Sequence, residues 1–464
     1  MTGLERAKTF YLILVIALAN NGFTLLRGVG ARNSYNAIDL GLLLVLFGTL
    51  FLVVLYGKTQ IFRNSITIFI CFYIFFVGVH IALPSFKYGQ SLIDGFIAAR
   101  HQIYYLSYFL FLILLVDISY IIKLLNALTY VGIIISILAI IHHFYPIIFV
   151  GVWEHDIFRD GVKRGYVPGM WMMSFLLLWQ FTKWVVCVKT SVKSMSTVYT
   201  IFFVGIHIFR QTRGLILGTF GAIIITLILK RKYGVLAAIA TTFICFMITI
   251  SVVGKTNHIA NLFESSYKDV TEESGTWGSR VNQLDDAWQT FIENPIIGSG
   301  SIAIRMLPDE AKSKEEMEMA MRAYKADLGY ASWVKSYGTV GIVMLVYIGF
   351  SIIKYIKKLK ITQNEDFNVL KIFLTMYFIF VAISFITINH LMYPPGIVLF
   401  CLAAAILTRL SVSQDKQVRK AFLVPDTKLG IIRKAQVDVR AGHYEELPKT
   451  GQNILHSCIF SRFH

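Results

Sequence analysis

The chain alternates long apolar runs with short polar breaks. Each run is close to 20 residues long, which is the length an α-helix needs to cross about 30 Å of hydrocarbon. The two runs within 196–229 are separated by the polar residues Arg210, Gln211 and Arg213. The pattern predicts twelve transmembrane helices, near 10–26, 38–56, 65–84, 103–122, 128–150, 166–187, 196–210, 213–229, 234–253, 330–353, 369–389 and 394–411.

Composition agrees with a membrane protein. Of the 464 residues, 56% are hydrophobic and 15% are charged, and the mean hydropathy is +0.63, whereas a soluble chain is about 25% charged. We therefore predict an all-α, polytopic integral membrane protein. Its predicted parts are transmembrane helices 1–9 in residues 1–253, an extracytoplasmic helical loop at 254–329, helices 10–12 at 330–411 and a basic cytoplasmic tail at 412–464.

The first apolar run has two interpretations. It ends in Ala17-Leu18-Ala19, which also fits a signal-peptidase site. Because eleven further runs follow it, we expect an uncleaved first span.

Basic residues set the predicted orientation, because cytoplasmic loops carry an excess of lysine and arginine. With the N-terminus inside, sixteen basic residues lie in short inner segments and nine in short outer ones. Thirteen of the inner sixteen are lysine, whereas seven of the outer nine are arginine. The outer nine are Arg27, Arg32, Lys87, Arg100, Arg159, Lys163, Arg164, Arg210 and Arg213.

The excess of arginine outside has two interpretations. The first is that it arises from chance and from the charge bias that sets membrane orientation, for which lysine and arginine are equivalent because both are positively charged. Arginine also offers a planar fork of donors that grips phosphate or carboxylate, and this favours an anionic, phosphate-bearing ligand at the outer face. The formal net charge of +17 does not indicate nucleic acid, because inner lysines and a basic tail beside anionic lipid account for most of it.

A polar helix is predicted in the outer loop, within GSRVNQLDDAWQTFIENPIIGSG at 278–300. We expect Ser279 to cap it, Asn294-Pro295 to end it, and the helix to lie on the membrane surface or on the other spans. Its apolar stripe at helical spacing consists of Leu284, Ala287, Trp288 and Phe291.

Arg280 lies in the predicted first turn of this helix. An anion there would meet both a guanidinium and the backbone N–H groups of a helix N-terminus. The simpler interpretation is a solvated arginine at a helix start. Beyond the helix, Gly298 and Gly300 allow a tight turn.

A second candidate site is IFRQTRGLILGTFG at 208–221. Arg210 and Arg213 are three residues apart and share a helix face, and Arg213 opens a span at the outer interface. A charge there is costly unless it snorkels, pairs or acts on a substrate. The small-xxx-small spacing of Gly214, Gly218 and Gly221 predicts close helix packing.

Further candidates lie at the same face. Arg159, Lys163 and Arg164 occupy a short outer turn before the sixth span and form a candidate anion-binding rim. Asp327 lies where the long loop re-enters the membrane, three residues before Tyr330. An interfacial carboxylate is often a cap or an ion-pair partner, but a general base for an acceptor hydroxyl would also be needed there.

We expect neither a metal nor a nucleotide cofactor. The sequence has no Walker loop, no Rossmann glycine pattern and no Asp-x-Asp pair. Histidines at span ends lack metal-ligand spacing, and we interpret them as interfacial polar residues: His80, His142, His143, His207 and His390.

Three features in order resemble the O-antigen polymerase and ligase superfamily of bacterial envelope glycan enzymes, over residues 200–345. The first is an arginine–glycine pair that opens a middle span, Arg213-Gly214. The last is a re-entry segment that ends in Gly338 and Gly341. Between them lies an outer helix of the form G-x-R, then tryptophan, then N-P-x-x-G-x-G, here Gly278, Arg280, Trp288, Asn294-Pro295, Gly298 and Gly300.

The resemblance implies a glycosyltransferase of the bacterial inner membrane that works on its outer face. It would join a glycan carried on undecaprenyl pyrophosphate to an acceptor hydroxyl, without metal or nucleotide. By position, Arg213 and Arg280 match the family's two functional arginines, which would stabilise the charge that develops on the pyrophosphate leaving group. Expected partners are the lipid-linked donor and acceptor, membrane lipid and a chain-length regulator protein. Candidate substrate-binding residues are Arg159, Arg164, Arg210, Trp288 and Tyr330.

One departure from the family pattern bears on the reaction. Where ligases typically carry a histidine eleven residues before the first glycine, this chain has Asp327, eleven residues before Gly338. The Asp-Leu-Gly-Tyr segment is more similar to polymerases and to capsule or exopolysaccharide members. We therefore favour a polymerase with Asp327 as the acid/base group.

Two other functions stay open. A ligase that transfers the glycan to lipid A core is the first alternative. The second is a flippase or exporter of the same lipid-linked sugar, although transporters usually place charges along a central cavity rather than on one face. A structural or sensory membrane protein leaves the arginine distribution unexplained.

Overall fold

The structure is a computed structural model that describes residues 3–25, 36–56, 63–145, 158–159, 162–163, 165–210, 212–241, 275–302 and 328–422. These residues are almost entirely helical, and the short antiparallel pair β1 (Phe158–Arg159) and β2 (Val162–Lys163) places Phe158 opposite Lys163. Residues 233–241 are also helical. The numbered helices are α1 (Gly3–Ala19), α2 (Asn36–Tyr56), α3 (Ser65–Tyr88), α4 (Leu92–Ala99), α5 (Ser107–Leu114), α6 (Ile118–Phe144), α7 (Met170–Val186), α8 (Thr190–Arg210), α9 (Arg213–Leu229), α10 (Gly275–Glu293), α11 (Gly329–Lys358), α12 (Glu365–Thr387) and α13 (Pro394–Phe422).

Eight helical stretches among the described residues are long and apolar enough to cross a membrane. The helices α1, α7 and α9 have 17 residues each and occupy predicted spans, at the short end of what crosses a bilayer. The predicted all-α, multi-pass membrane protein is thus confirmed, while the count of twelve stays a prediction. The span predicted at 234–253 is described only to residue 241.

The boundary predicted between the fourth and fifth spans is wrong. The stretch Leu92–Leu114 is one helical run, and α6 begins at Ile118, so the inner loop expected between 122 and 128 lies inside α6. The Asp117 side chain starts this helix by accepting a hydrogen bond from the Tyr120 N–H at 2.7 Å. Lys123 is a helical residue whose Nζ lies 3.8 Å from a carboxylate oxygen of Glu5 in α1.

Other helix starts also follow from the sequence. The side chains of Asn64 and Asn364 accept hydrogen bonds from backbone N–H groups three residues later and cap α3 and α12. Gly169, with a φ of 71°, turns the chain into α7.

Helix α13 lies at the centre of the bundle. Its span is 83% buried, compared with 28% for that of α2, which turns Leu43, Phe47, Phe51 and Val54 outward as expected for a lipid-facing helix. Helix α9 packs on α12 through the predicted glycines, since a Cβ on Gly218 would lie 3.0 Å from the Ser384 Cβ.

The Cα packing divides the chain into two units, residues 1–410 and residues 411–464. Of the second unit the structure describes the end of α13, so the predicted tail at 412–464 lies mostly outside the described residues. Of the predicted outer loop at 254–329, the structure describes residues 275–302 and 328–329.

Candidate functional site

Helix α11 is broken at Gly338, whose φ of 59° and ψ of −151° are not helical. In an unbroken helix the Thr339 N–H would donate to the Lys335 carbonyl, four residues earlier. The Val340 N–H would likewise donate to the Ser336 carbonyl. The break removes both bonds inside a candidate span, where an unsatisfied backbone group costs several kcal/mol.

The segment after α10, residues 294–300 and here called the inserted turn, supplies all four missing partners. It provides two carbonyls for the N–H groups after the break and two N–H groups for the carbonyls before it. The insertion therefore repairs the hydrogen-bond ladder that Gly338 interrupts. The four bonds are Thr339 N to Pro295 O (2.8 Å), Val340 N to Ile296 O (3.1 Å), Ser299 N to Lys335 O (3.1 Å) and Gly300 N to Ser336 O (3.3 Å).

Two glycines make this insertion possible. Gly298 has a φ of +70° and Gly338 a φ of +59°, a region that costs other L residues about 1–2 kcal/mol. A Cβ on Gly298 would lie 2.3 Å from the Ser336 carbonyl oxygen, and one on Gly338 would lie 2.7 Å from the Gly298 nitrogen. The predicted tight turn is confirmed, and its glycines allow two backbones to touch.

Helix α3 holds the other side of the inserted turn. The Ser301 N–H donates to the His80 carbonyl at 3.0 Å, and the Gln90 side chain donates to the Ser301 carbonyl at 2.9 Å. Lys87 donates through Nζ to the Asn294 side-chain oxygen. The inserted turn is thus clamped between α3 and α11.

A buried aromatic cluster packs beside the break. The hydroxyls of Tyr337 and Tyr73 lie 2.8 Å apart, and the ring of Trp333 stacks on that of Tyr73 at 5.4 Å. Trp333 donates through Nε1 to the Gly341 carbonyl at 2.8 Å. His80 is fully buried and lies 4.8 Å from the Tyr337 ring.

The interpretation of the span-end histidines as interfacial is wrong for four of them, including His142, which is 4% exposed. His80, His207 and His390 are each fully buried. The Nε2 of His207 lies 2.9 Å from the Ser174 hydroxyl, and that of His390 lies 3.3 Å from the Tyr377 hydroxyl. These two nitrogens bond inside the bundle, which is why His207 and His390 do not need the interface.

Helix α10 confirms the predicted polar helix, but it begins at Gly275 rather than after Ser279. Arg280 is consequently its sixth residue and lies in the second turn. The expected cap at Ser279 and the placement of Arg280 among the first backbone N–H groups are therefore wrong. Serine is tolerated inside a helix although it favours the cap, so the sequence did not exclude the interior position.

The packed face of α10 is polar. Gln283 and Ala287 are buried and Arg280 is half-buried. By contrast, 53% of Leu284 and 58% of Trp288 are exposed, so the prediction that this stripe packs on other spans is wrong for both residues. Since Ala287 of the same stripe is buried, the membrane-surface alternative suits only the exposed Leu284 and Trp288.

Lys335, which the sequence reasoning overlooked, joins α11 to α10. It is 9% exposed and donates through Nζ to the carboxylate of Asp286. The sequence does contain a sign of this role, because an ionisable residue within a membrane span generally pairs with another group or acts on a substrate, and Lys335 lies within a candidate span.

A second group of contacts forms around the end of α12. A Cβ on Gly214 would lie 2.6 Å from the Thr387 hydroxyl, and one on Gly329 would lie 2.7 Å from the Ile388 carbonyl oxygen. The Tyr330 hydroxyl donates to the Ala382 carbonyl at 3.0 Å. The start of α9 and the start of α11, each beside a predicted catalytic residue, therefore contact the same end of α12.

The remaining predicted residues are described unevenly. Arg210 donates to the Gly165 carbonyl at 3.4 Å and lies over the Tyr166 ring at 5.4 Å, which holds the segment before α7 against the end of α8. Of Arg213 and Arg159 the structure describes only the backbone, in α9 and in β1. Arg164 and Asp327 lie outside the described residues.

One outer arginine has a structural role. Arg100 lies 2.8 Å from a carboxylate oxygen of Asp39 and also donates to the Ile97 carbonyl at 2.8 Å. Part of the excess of arginine outside is therefore explained by contacts within the protein.

Helix α10, the inserted turn and the break in α11 lie within a stretch that matches a family model. Residues 198–346, from α8 to the middle of α11, match the family model described as O-antigen ligase. No curated protein matches the chain. The match at residues 198–346 supports the resemblance of this part of the chain to the O-antigen polymerase and ligase superfamily.

Proposed function

We propose that the protein is a glycan polymerase that joins undecaprenyl-pyrophosphate-linked repeat units on the outer face of the bacterial inner membrane. The family domain implies a ligase- or polymerase-type, glycosyltransferase-like enzyme that acts on lipid-linked glycans. Polymerisation is favoured because Asp327 stands where ligases of the family typically carry a histidine.

In the proposed reaction an acceptor hydroxyl attacks the anomeric carbon of the donor glycan. A glycosidic bond forms, the bond from carbon to the pyrophosphate oxygen breaks, and Asp327 takes the hydroxyl proton. Arg280 and Arg213 stabilise the charge on the departing pyrophosphate. Donors fixed in advance around a developing charge are an effective means of catalysis, and no metal or nucleotide takes part in this scheme.

The observation that supports the proposal most is the insertion of residues 294–300 into α11. Those backbone bonds and the Lys335–Asp286 pair fasten the second half of α10 and the turn that follows it to α11, and Arg280 lies on the packed, polar face of α10. A guanidinium on a fastened helix is better suited to a fixed charge-stabilising role than one on a mobile loop. Lys335 acts here as a positioning residue.

The contacts around the end of α12 support the roles of Arg213 and Asp327. Gly214 and Gly329 approach Thr387 and Ile388, and Arg213 is adjacent to the first glycine while Asp327 is two residues before the second. The proposal therefore brings a leaving-group clamp and a base to one end of the bundle.

The test uses purified protein in detergent and a synthetic undecaprenyl-pyrophosphate-linked repeat unit, with no metal or nucleotide added. Product length is followed on a gel. A ladder of longer lipid-linked glycans supports a polymerase. Transfer only after lipid A core is supplied supports the ligase, which the family description favours. If neither product forms and the headgroup is translocated across liposomes, the result supports a flippase.

Matched variants test the arginines. Arg280→Ala and Arg213→Ala should each lower the rate by about 100-fold or more, the usual effect of losing a charge-stabilising donor. Arg280→Lys should also fail, because lysine lacks the two-pronged fork. Arg100→Lys is the control, since a lysine can still pair with Asp39. Normal product length in both alanine variants would sink the assignment.

A further inference from the structure

A cavity of about 320 Å³ lies between α7, α9 and α12 at the lysine-rich end of the bundle, at the opposite end of α9 from Arg213. The positive-inside rule assigns this end to the cytoplasm. Its walls are largely apolar, with Phe181, Val185, Leu227 and Met376 among them. An opening at this level faces the headgroups of the inner leaflet.

Three of the described residues that line the cavity are lysines, and none is acidic. Lys230 follows the last residue of α9, Lys232 comes two residues later, and Lys371 lies in the second turn of α12. Lys371 donates through Nζ to the Leu359 carbonyl. Ammonium groups that line one cavity repel one another, and a bound anion would offset that repulsion.

The nearest acidic residues along α12 do not serve as that anion. Glu365 and Asp366 begin the helix, and Glu365 accepts a hydrogen bond from the Val188 N–H at 2.6 Å. Neither residue lines the cavity.

A buried hydroxyl also lines the cavity. Thr226 is 1% exposed, and its Oγ1 has no hydrogen-bond partner among the described residues. Thr182, in the same lining, instead donates to the Leu178 carbonyl four residues earlier at 2.8 Å. Leaving a buried hydroxyl unsatisfied is unfavourable, so Thr226 offers a donor that a ligand oxygen would satisfy.

We propose that this cavity binds a phosphate group, held by Lys230, Lys371 and Thr226, and that the phosphate belongs to an anionic phospholipid of the inner leaflet. The apolar walls suit the glycerol and the start of the acyl chains. Basic pockets between transmembrane helices on the cytoplasmic side are suited to such headgroups, and the volume suits a small polar group rather than a whole glycan.

The test measures binding of dioleoylphosphatidylglycerol to the full-length protein in detergent by native mass spectrometry. Dioleoylphosphatidylcholine is the neutral-headgroup comparison and sodium phosphate the competitor. Lys230→Gln/Lys371→Gln should weaken binding of the anionic lipid by about 30-fold, as expected for two basic residues at a membrane surface. Thr226→Val, which keeps the side-chain shape, should weaken binding of the anionic lipid severalfold. This variant tests the proposal even if the double lysine variant fails to fold.

The matched control is Lys354→Gln/Lys357→Gln, which removes the same charge from exposed lysines at the end of α11 that do not line the cavity. It should leave the affinity within about threefold of the parent protein, because these lysines are screened by solvent. Equal losses in both double variants, or equal binding of the two lipids, would overturn the proposal. Displacement of the lipid by millimolar inorganic phosphate would keep the phosphate site but overturn the lipid as its source.

Discussion

Gly298→Ala tests whether the inserted turn stabilises the fold. The new methyl group would meet the Ser336 carbonyl oxygen at 2.3 Å. Because that oxygen belongs to the backbone of α11, no side-chain movement relieves the contact. The φ of +70° adds a penalty of about 1–2 kcal/mol for any L residue with a side chain.

The steric contact also acts on the hydrogen bonds beside it. Moving the inserted turn away from α11 stretches the bonds from Ser299 N to Lys335 O and from Gly300 N to Ser336 O, which are 3.1 and 3.3 Å long. Each bond contributes about 0.5–1.5 kcal/mol. Together with the backbone strain, the expected loss in the free energy of unfolding is about 2–5 kcal/mol.

The control for this substitution lies in the same helix. A Cβ on Gly349 of α11 would have no atom within 4 Å, and its backbone is helical. Gly349→Ala should therefore stabilise the protein by up to about 1 kcal/mol, since alanine is the better helix former.

Both variants are compared by unfolding in mixed sodium dodecyl sulfate and dodecyl maltoside micelles, followed by tryptophan fluorescence. Gly298→Ala should unfold at a lower sulfate fraction than the parent protein and Gly349→Ala at an equal or higher one. Indistinguishable midpoints for the two variants would refute the idea that the insertion holds α11 together. In the polymerisation assay, Gly298→Ala should also shorten the product, because α10 would lose its anchor.

Three further substitutions test individual contacts by the same unfolding measurement. Trp333→Phe should cost about 1–3 kcal/mol, because it removes the buried hydrogen bond from the indole nitrogen to the Gly341 carbonyl and leaves the smaller ring in a fully buried position. Trp288→Phe, on an exposed ring, should stay within about 0.5 kcal/mol, and equal effects of the two substitutions would count against the indole bond. A double-mutant cycle of Asp286→Asn and Lys335→Gln should give a coupling free energy of about 0.5–1 kcal/mol. The value is modest because the Asp286 carboxylate is half-exposed. A coupling of zero would show that this ion pair does not stabilise the fold. Gly218→Leu should cost about 1–3 kcal/mol by overpacking the contact between α9 and α12, and an unchanged midpoint would show that these helices separate freely.

Local rules predicted much of this fold from the sequence. Apolar runs located most of the spans, because a helix that crosses hydrocarbon must be apolar over a fixed length. The spacing of Gly214, Gly218 and Gly221 predicted helix packing, and the Asn294-Pro295 pair predicted the end of α10. In each case the cause lies within a few residues of its effect.

Those local rules could not predict the insertion of residues 294–300 into α11. Its bonds join backbone atoms some forty positions apart in the chain, such as Pro295 O and Thr339 N, and no side chain specifies which carbonyl meets which N–H. The pairing of Asp286 with Lys335 is also distant in sequence. The outward direction of Leu284 and Trp288 depends on what α10 packs against, since the hydrophobic pattern alone does not show whether lipid or protein covers a stripe.

The chemistry of the inserted turn explains why glycine and proline make up so much of the motif. Pro295 and Ile296 contribute only carbonyl oxygens to the insertion, and Gly298 contributes the absence of a side chain. A backbone frame of this kind restricts side chains at the two positions of closest approach and leaves Ile296, which is largely exposed, without a packing constraint. The frame that carries Arg280 can therefore remain fixed while the side chains around it differ.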